Sequence, residues 1–219
     1  NMGRSLRGAQ VGVLNIGGSV SGAQVGVLNI GGRVSGAQVG ILNIADSSSG
    51  ASVGLLNLAR NMEAFPGGLL SLGLNMKPGL QLEATETGLV GIGFRLSNRN
   101  YHLGLLANLP MNDIDRLLGF GTSIGGRWTA DQVDLELDYT YLTLIEHGDI
   151  DRMARMHRLS LTAGKNFDGL TVFLGPTWNI LLPDLSGTAD RFLAPPGRYH
   201  WDPSDDVRIW PGFLAGIRI

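Results

Sequence analysis

A block of fourteen residues is written four times near the start of the chain: GAQVGVLNIGGSVS from Gly8, GAQVGVLNIGGRVS from Gly22, GAQVGILNIADSSS from Gly36 and GASVGLLNLARNME from Gly50. Each copy opens with a nine-residue run that ends in Asn and an aliphatic residue, at Asn15-Ile16, Asn29-Ile30, Asn43-Ile44 and Asn57-Leu58. Five residues of Gly, Ser, Asp and Arg chemistry follow. The run reads as a strand and the remainder as a turn. At about 3.3 Å per residue, nine residues span roughly 30 Å, the length of a tilted strand that crosses a bilayer core.

Alternation within the repeat is unusual. One face of the first copy carries Ala9, Val11, Val13 and Asn15, the other Gln10, Gly12, Leu14 and Ile16. Both are largely apolar, so these strands are expected to meet apolar surroundings on two sides, the second face packing against another subunit, a plug or trapped acyl chains. The side chains expected to face lipid or an interface are Val11, Val13, Leu14, Ile16, Val25, Val27, Leu28, Ile30, Val39, Ile41, Leu42 and Ile44. Glycines at 12, 26, 40 and 54 would let another backbone approach closely. A meander of hairpins is the favoured arrangement, with rungs of a solenoid as the alternative.

Beyond residue 68 the exact repeat is lost, yet period-2 alternation continues. In DQVDLELDYTYLTL, Val133, Leu135, Leu137, Tyr139 and Tyr141 share one face and Asp134, Glu136 and Asp138 the other. Such a strand has no place in a soluble sandwich core and fits one with water inside and lipid outside. Segments around Val90–Leu96, Tyr101–Leu109, Leu118–Trp128, Leu159–Ala163, Leu170–Ile180 and Ile209–Ile219 repeat the pattern. Longer connections are expected at Pro110–Arg116, Glu146–Ala154 and Pro183–Val207. The whole predicts one all-β domain over residues 1–219, a transmembrane antiparallel β-barrel of about 12 strands, with the four repeats (8–60) supplying its first strands and residues 61–219 the rest.

Composition narrows the function classes. Charged residues are 16% of the chain and glycines number 33, a charge-poor, glycine-rich mixture that suits strands. A formal charge of −2 gives no basic stripe for nucleic acid. With no cysteines there are no disulfides, thiolate metal sites or Cys nucleophiles. No apolar run reaches 18 residues, so a membrane-spanning chain of this kind must cross with strands. Residues 1–7 lack the apolar core of a signal peptide, so the chain is expected to be a mature or truncated form.

The Gly-x-Gln-x-Gly-x-x-Asn units at Gly8, Gly22 and Gly36, with Ser52 in place of Gln in the fourth, resemble the repeat of bacterial surface-repeat outer-membrane proteins. The motif covers about a quarter of the chain. The resemblance implies a barrel fold and an outer-membrane location, and it brings no activity, cofactor or catalytic residue.

No catalytic or metal-ligating pattern emerges from the four histidines, His102, His147, His157 and His200. The strongest constellation is Asp134, Glu136 and Asp138 set against Arg95, Arg127, Arg158 and Arg218. If all seven face the lumen, it either conducts small solutes or closes through salt bridges. Three functions are therefore open: a structural, homo-oligomeric outer-membrane protein whose repeats form an interface or enclose lipid; a porin-like channel for hydrophilic solutes; and a secreted β-solenoid adhesin. The first is preferred because the repeat is the most specific feature present.

Overall fold

The structure is a computed structural model that describes residues 1–63, 65–87, 89–110, 117–146, 149–182 and 207–219. Every regular element among them is a strand. In place of the single domain expected, the chain forms two compact units, Asn1–Lys77 with Asn98–Asn100, and Pro78–Ser97 with Tyr101–Ile219. The repeat strands do not contribute to the barrel, because they pair in parallel with one another and so make a stack of their own.

The first unit contains β1 (Met2–Leu6), β2 (Ala9–Val11), β3 (Leu14–Val20), β4 (Ala23–Val25), β5 (Leu28–Val34), β6 (Ala37–Val39), β7 (Leu42–Ser48), β8 (Ala51–Met62) and β9 (Phe65–Gly73). All pairings are parallel and offset by one repeat, so that Ile16, Ile30, Ile44, Leu58 and Leu72 lie side by side. A meander of hairpins would have paired them antiparallel; the stacking is solenoid-like. Met2 pairs with Ile16 and Phe65 with Ala51 at the same spacing. Residues 2–6 and 65–73 are thus further rungs whose sequences have drifted from the repeat.

The nine-residue run is not one straight strand. In the first three copies it bends at Gly12-Val13, Gly26-Val27 and Gly40-Ile41; a short arm of three residues precedes the bend, and the long arm of seven that follows continues past the run, so that residues 17–20 and their equivalents, expected as a turn, are strand. A Cβ on Gly26 would lie 1.9 Å from the carbonyl oxygen of Gly12, so the close backbone approach expected at this position is present. Because of the bend, strict alternation across the run fails. Asn15, Asn29, Asn43, Gln24 and Gln38 are buried in the middle of the stack, whereas the valines flanking the bend are exposed.

Burial of those amides is compensated along the stack. Each Asn donates its Nδ2 to the next copy's Asn Oδ1: Asn15 to Asn29 at 2.9 Å, Asn29 to Asn43 at 2.8 Å and Asn43 to Asn57 at 2.7 Å. The same Nδ2 groups reach Val25, Val39 and Val53 carbonyls, each at 2.9 Å. The Gln file runs the other way, Gln24 donating to Gln10 at 2.9 Å and Gln38 to Gln24 at 3.0 Å. A buried amide is costly only when unpaired, and these files supply the partners.

The second unit is a closed antiparallel barrel of eight strands: β10 (Lys77–Thr85), β11 (Leu89–Ser97), β12 (Tyr101–Pro110), β13 (Leu117–Ala130), β14 (Val133–Glu146), β15 (Asp149–Phe167), β16 (Leu170–Leu182) and β17 (Arg208–Arg218), with β17 returning to β10. Eight, not about 12, is the barrel's count. Asp168-Gly169 joins β15 to β16 with φ of 50° and 100°, the two positive values that a tight hairpin turn matched to strand twist demands. Of the longer connections expected, Glu146–Ala154 is largely strand, since β14 continues to Glu146 and β15 resumes at Asp149. Residues 111–116, 147–148 and 183–206, which hold most of the other two and also His147 and His200, lie outside the described residues.

Barrel strands put small, polar and charged side chains inside and apolar ones outside. On β14, Glu136 is 1% exposed while its neighbours Leu135 and Leu137 are 44% and 42% exposed. Toward the rim opposite the Asp168-Gly169 turn, the lumen is filled by an apolar cluster that includes Leu117, Leu142, Leu144, Met156, Leu181 and Trp210. An eight-stranded barrel is just wide enough for side chains to fill it.

Candidate functional site

The polar part of the lumen centres on Glu136. Alternation on β14 turns it inward, and barrel closure brings to it side chains far apart in sequence. Arg95 Nη2 donates to Glu136 Oε2 at 2.9 Å; Arg127 Nε and Arg218 Nη1 donate to Oε1 at 2.6 Å and 2.9 Å. Gln81 Oε1 accepts from Arg95 Nη1 and Arg218 Nε, both at 3.1 Å. The Arg218 guanidinium also lies 4.5 Å from the centre of the Phe173 ring, a cation–π arrangement. His102 contacts Arg95 through Nδ1 and Asp138 through Nε2, tying Asp138 into the group.

A second layer lies beside the first. Arg158 Nη1 donates to Glu83 Oε1 at 3.1 Å and Arg158 Nε to Asn179 Oδ1 at 3.2 Å, while Gln81 Nε2 donates to Glu83 Oε2 at 2.7 Å and links the layers. Glu86 collects Trp210 Nε1 at 2.8 Å, Asn179 Nδ2 at 3.1 Å and the Phe213 amide at 3.0 Å.

Of the seven charged residues singled out by sequence, Arg95, Arg127, Glu136, Asp138 and Arg218 are thus gathered into one cluster, and Arg158 pairs with Glu83 in the adjoining layer. Asp134 is apart, at the end of β14, where it accepts a hydrogen bond from Thr129 Oγ1 at 2.6 Å. Gln81, Glu83, Glu86, His102 and Asn179 were not anticipated as members. His102 and Asn179 were readable as inward by alternation, but which strand each would meet depends on barrel closure and stagger, which no local pattern encodes.

The donor atoms of His102, Glu136 and Asp138 lie within 4.8 Å of one another. Both oxygens of Glu136 already accept from guanidiniums, and three arginines crowd the position a divalent ion would take. Such a site repels a cation, and the arrangement fits an ion-pair cluster better than a metal centre. A cavity of about 20 Å³ remains, bordered by Gln81, Arg95, His102, Ser123, Asp138 and Arg218 among others, room for a water molecule but not for a solute.

The stack presents a second surface. All twelve aliphatic side chains expected at a lipid or protein boundary, Val11 to Ile44 in the first three copies, are exposed or half-buried on its outside. The expectation that the strands had no polar face is corrected: Asn and Gln form an inward one, and the bend at Gly-Val placed them wrongly in a straight-strand reading.

Comparison with protein families, with curated proteins and with solved structures finds no match to this chain.

Proposed function

We propose that this protein is a structural component of a bacterial outer membrane, anchored there by the eight-stranded barrel, whose lumen is closed instead of conducting. The observation that carries the reading is the polarity of β14, with Glu136 sealed inside and Leu135, Leu137 and Tyr139 outside, each more than two-fifths exposed. In water that arrangement is inverted, because apolar area left exposed forfeits roughly 25 cal/mol per Å² and buried ions lose hydration. Surrounded by hydrocarbon, the outward face is at no disadvantage.

The height of the apolar belt supports it. On β15 the outward, exposed Arg155 and Lys165 bracket His157, Leu159, Leu161 and Ala163. Ten residues at about 3.4 Å, tilted by about 40°, span roughly 26 Å along the barrel axis, close to the apolar band of outer-membrane barrels. His157 is not a bare polar group in that belt, since its Nδ1 is 2.6 Å from the Tyr139 hydroxyl. The ion-pair layers and the apolar cluster favour a closed lumen over a porin-like one.

A secreted adhesin is the second reading, and the parallel stack is the feature that favours it. Fractionation separates the two: a membrane anchor stays with outer-membrane vesicles through high-salt and urea washes and needs detergent for release. Recovery in the detergent-free extract would transfer support to the adhesin. Single-channel steps after reconstitution into planar bilayers would overturn the closed lumen.

A further inference from the structure

The stack is amphipathic about its own axis. In residues 1–63 there are six charged side chains, Arg4, Arg7, Arg33, Asp46, Arg60 and Glu63. Superposed on the 14-residue period, all fall in the stretch occupied by Gly32–Ser35 of the second copy. The remaining stretch, Gly22–Gly31 and its equivalents, carries none in four copies. Its outward side chains are instead Val, Leu and Ile, with Val13 74% exposed and Leu55 59%.

These aliphatic side chains lie on the bend and on both of its flanks. In the second copy Val25 ends the short arm, Val27 is at the bend and Leu28 starts the long arm. The apolar surface is therefore a convex ridge running across the rungs, with the charged edge at the far end of each long arm. A flat self-complementary patch on a second copy would cover one flank and leave the other wet; a fluid apolar solvent covers both. Backbone groups of the inner rungs are paired with the rungs on either side, and the amide files satisfy the interior, so the ridge of these rungs exposes side chains and not unpaired backbone.

The dimensions agree. From Val27 to Arg33 is six residues, at most about 20 Å of extended chain. One leaflet, counting half of the hydrocarbon core and one headgroup layer, is also roughly 20 Å thick.

We infer that the repeat stack is a membrane-embedded unit in its own right, its Val-Gly-Val ridge sunk among the acyl chains of one leaflet and its Arg33–Asp46–Arg60 edge held at the headgroups. This deepens the membrane reading and rests on it, by assigning to the repeats a lipid ligand and an orientation within the bilayer.

The chain has no cysteine, so single nitroxide labels can be placed on the full-length protein reconstituted into phosphatidylcholine vesicles. Labels at Val27→Cys and Ile41→Cys report the ridge, Arg33→Cys and Ser49→Cys the charged edge, and Leu161→Cys the outside of the barrel. The expected result is collision with oxygen dominating at Val27 and Ile41, and collision with a water-soluble nickel chelate dominating at Arg33 and Ser49. Nickel access at both ridge positions, with Leu161 still in lipid, overturns the inference and leaves the barrel anchored. Shielding of both ridge positions from oxygen and nickel alike also overturns it, pointing to a second copy on the ridge. Nickel access at Leu161 removes the membrane reading itself.

Discussion

Replacing Glu136 by Gln keeps the side chain's shape and takes away one negative charge, in a place where three guanidiniums depend on it. Arg95 and Arg218 are nearly as buried as Glu136 itself, with side-chain exposures of 5% and 9% against 1%, while Arg127 is 18% exposed. Three charge-assisted hydrogen bonds at about 1.5–3 kcal/mol each set an upper range. The bond from Arg127 is discounted for solvent, and Gln81 continues to accept from the other two. Breaking a buried ion pair by removing one partner costs about 3–5 kcal/mol, and we expect Glu136→Gln to fall there. With a urea slope of about 2 kcal/mol per molar, the unfolding midpoint would drop by about 2 M. The assay is equilibrium urea unfolding of detergent-solubilised protein, followed by tryptophan fluorescence. Asp134→Asn is the comparator, since that carboxylate has only Thr129 at the strand end, and its midpoint should move by no more than about 0.5 kcal/mol equivalent. Equal shifts in the two variants would refute the claim that the buried Glu136 cluster stabilises the barrel.

Three further outcomes follow from the same geometry. Leu161→Arg sets a charge on the outside of the barrel within the apolar belt, and should cost about 2–4 kcal/mol of stability in lipid vesicles; an unchanged midpoint there would mean that water wets this face. Asn29→Ala removes the donor to Asn43 and to the Val39 carbonyl and takes away the side-chain acceptor of Asn15, which keeps only the Val25 and Gly12 carbonyls. Hydrogen exchange should quicken across the repeats by the equivalent of about 2–4 kcal/mol, with the barrel unaffected. Gly36→Ala would bring a Cβ to 1.8 Å from the Gly22 carbonyl oxygen, so the second and third rungs must separate; retention of full exchange protection there would contradict the parallel stack.

The barrel was legible in the sequence where a strand is straight. Val133 through Tyr141 alternate without interruption, and the structure keeps that alternation across the strand. Its partners were less so: Glu83 reaches Arg158 across 75 residues, a pairing fixed by closure and stagger instead of by any pattern near either residue. In the repeat the period was plain and the shape was not. Asn15 was assigned to the same face as Val11 and Val13 because strict alternation was carried through Gly12-Val13, where the chain turns. The paired aliphatics Val13-Leu14 and Val27-Leu28 were the available sign, since two adjacent outward side chains require a change of direction between arms. Asn1-Met2-Gly3 and Ser71-Leu72-Gly73 also stand at the repeat's spacing from Asn15-Ile16-Gly17 and Asn57-Leu58-Ala59, but too few identities survive for a search by motif to reach them.

Opposed donor directions in the two amide files have a consequence for growth of the stack. Dipoles aligned in the Asn file are offset by those of the Gln file, so lengthening the array accumulates little polarity from end to end, unlike a helix, where each peptide adds to one macrodipole. Every inserted copy finds above and below it the surfaces its neighbours already present. Duplication of a 42-nucleotide coding unit therefore extends the protein by one ready-made layer, and copy number is a dimension along which such a chain can change without redesign.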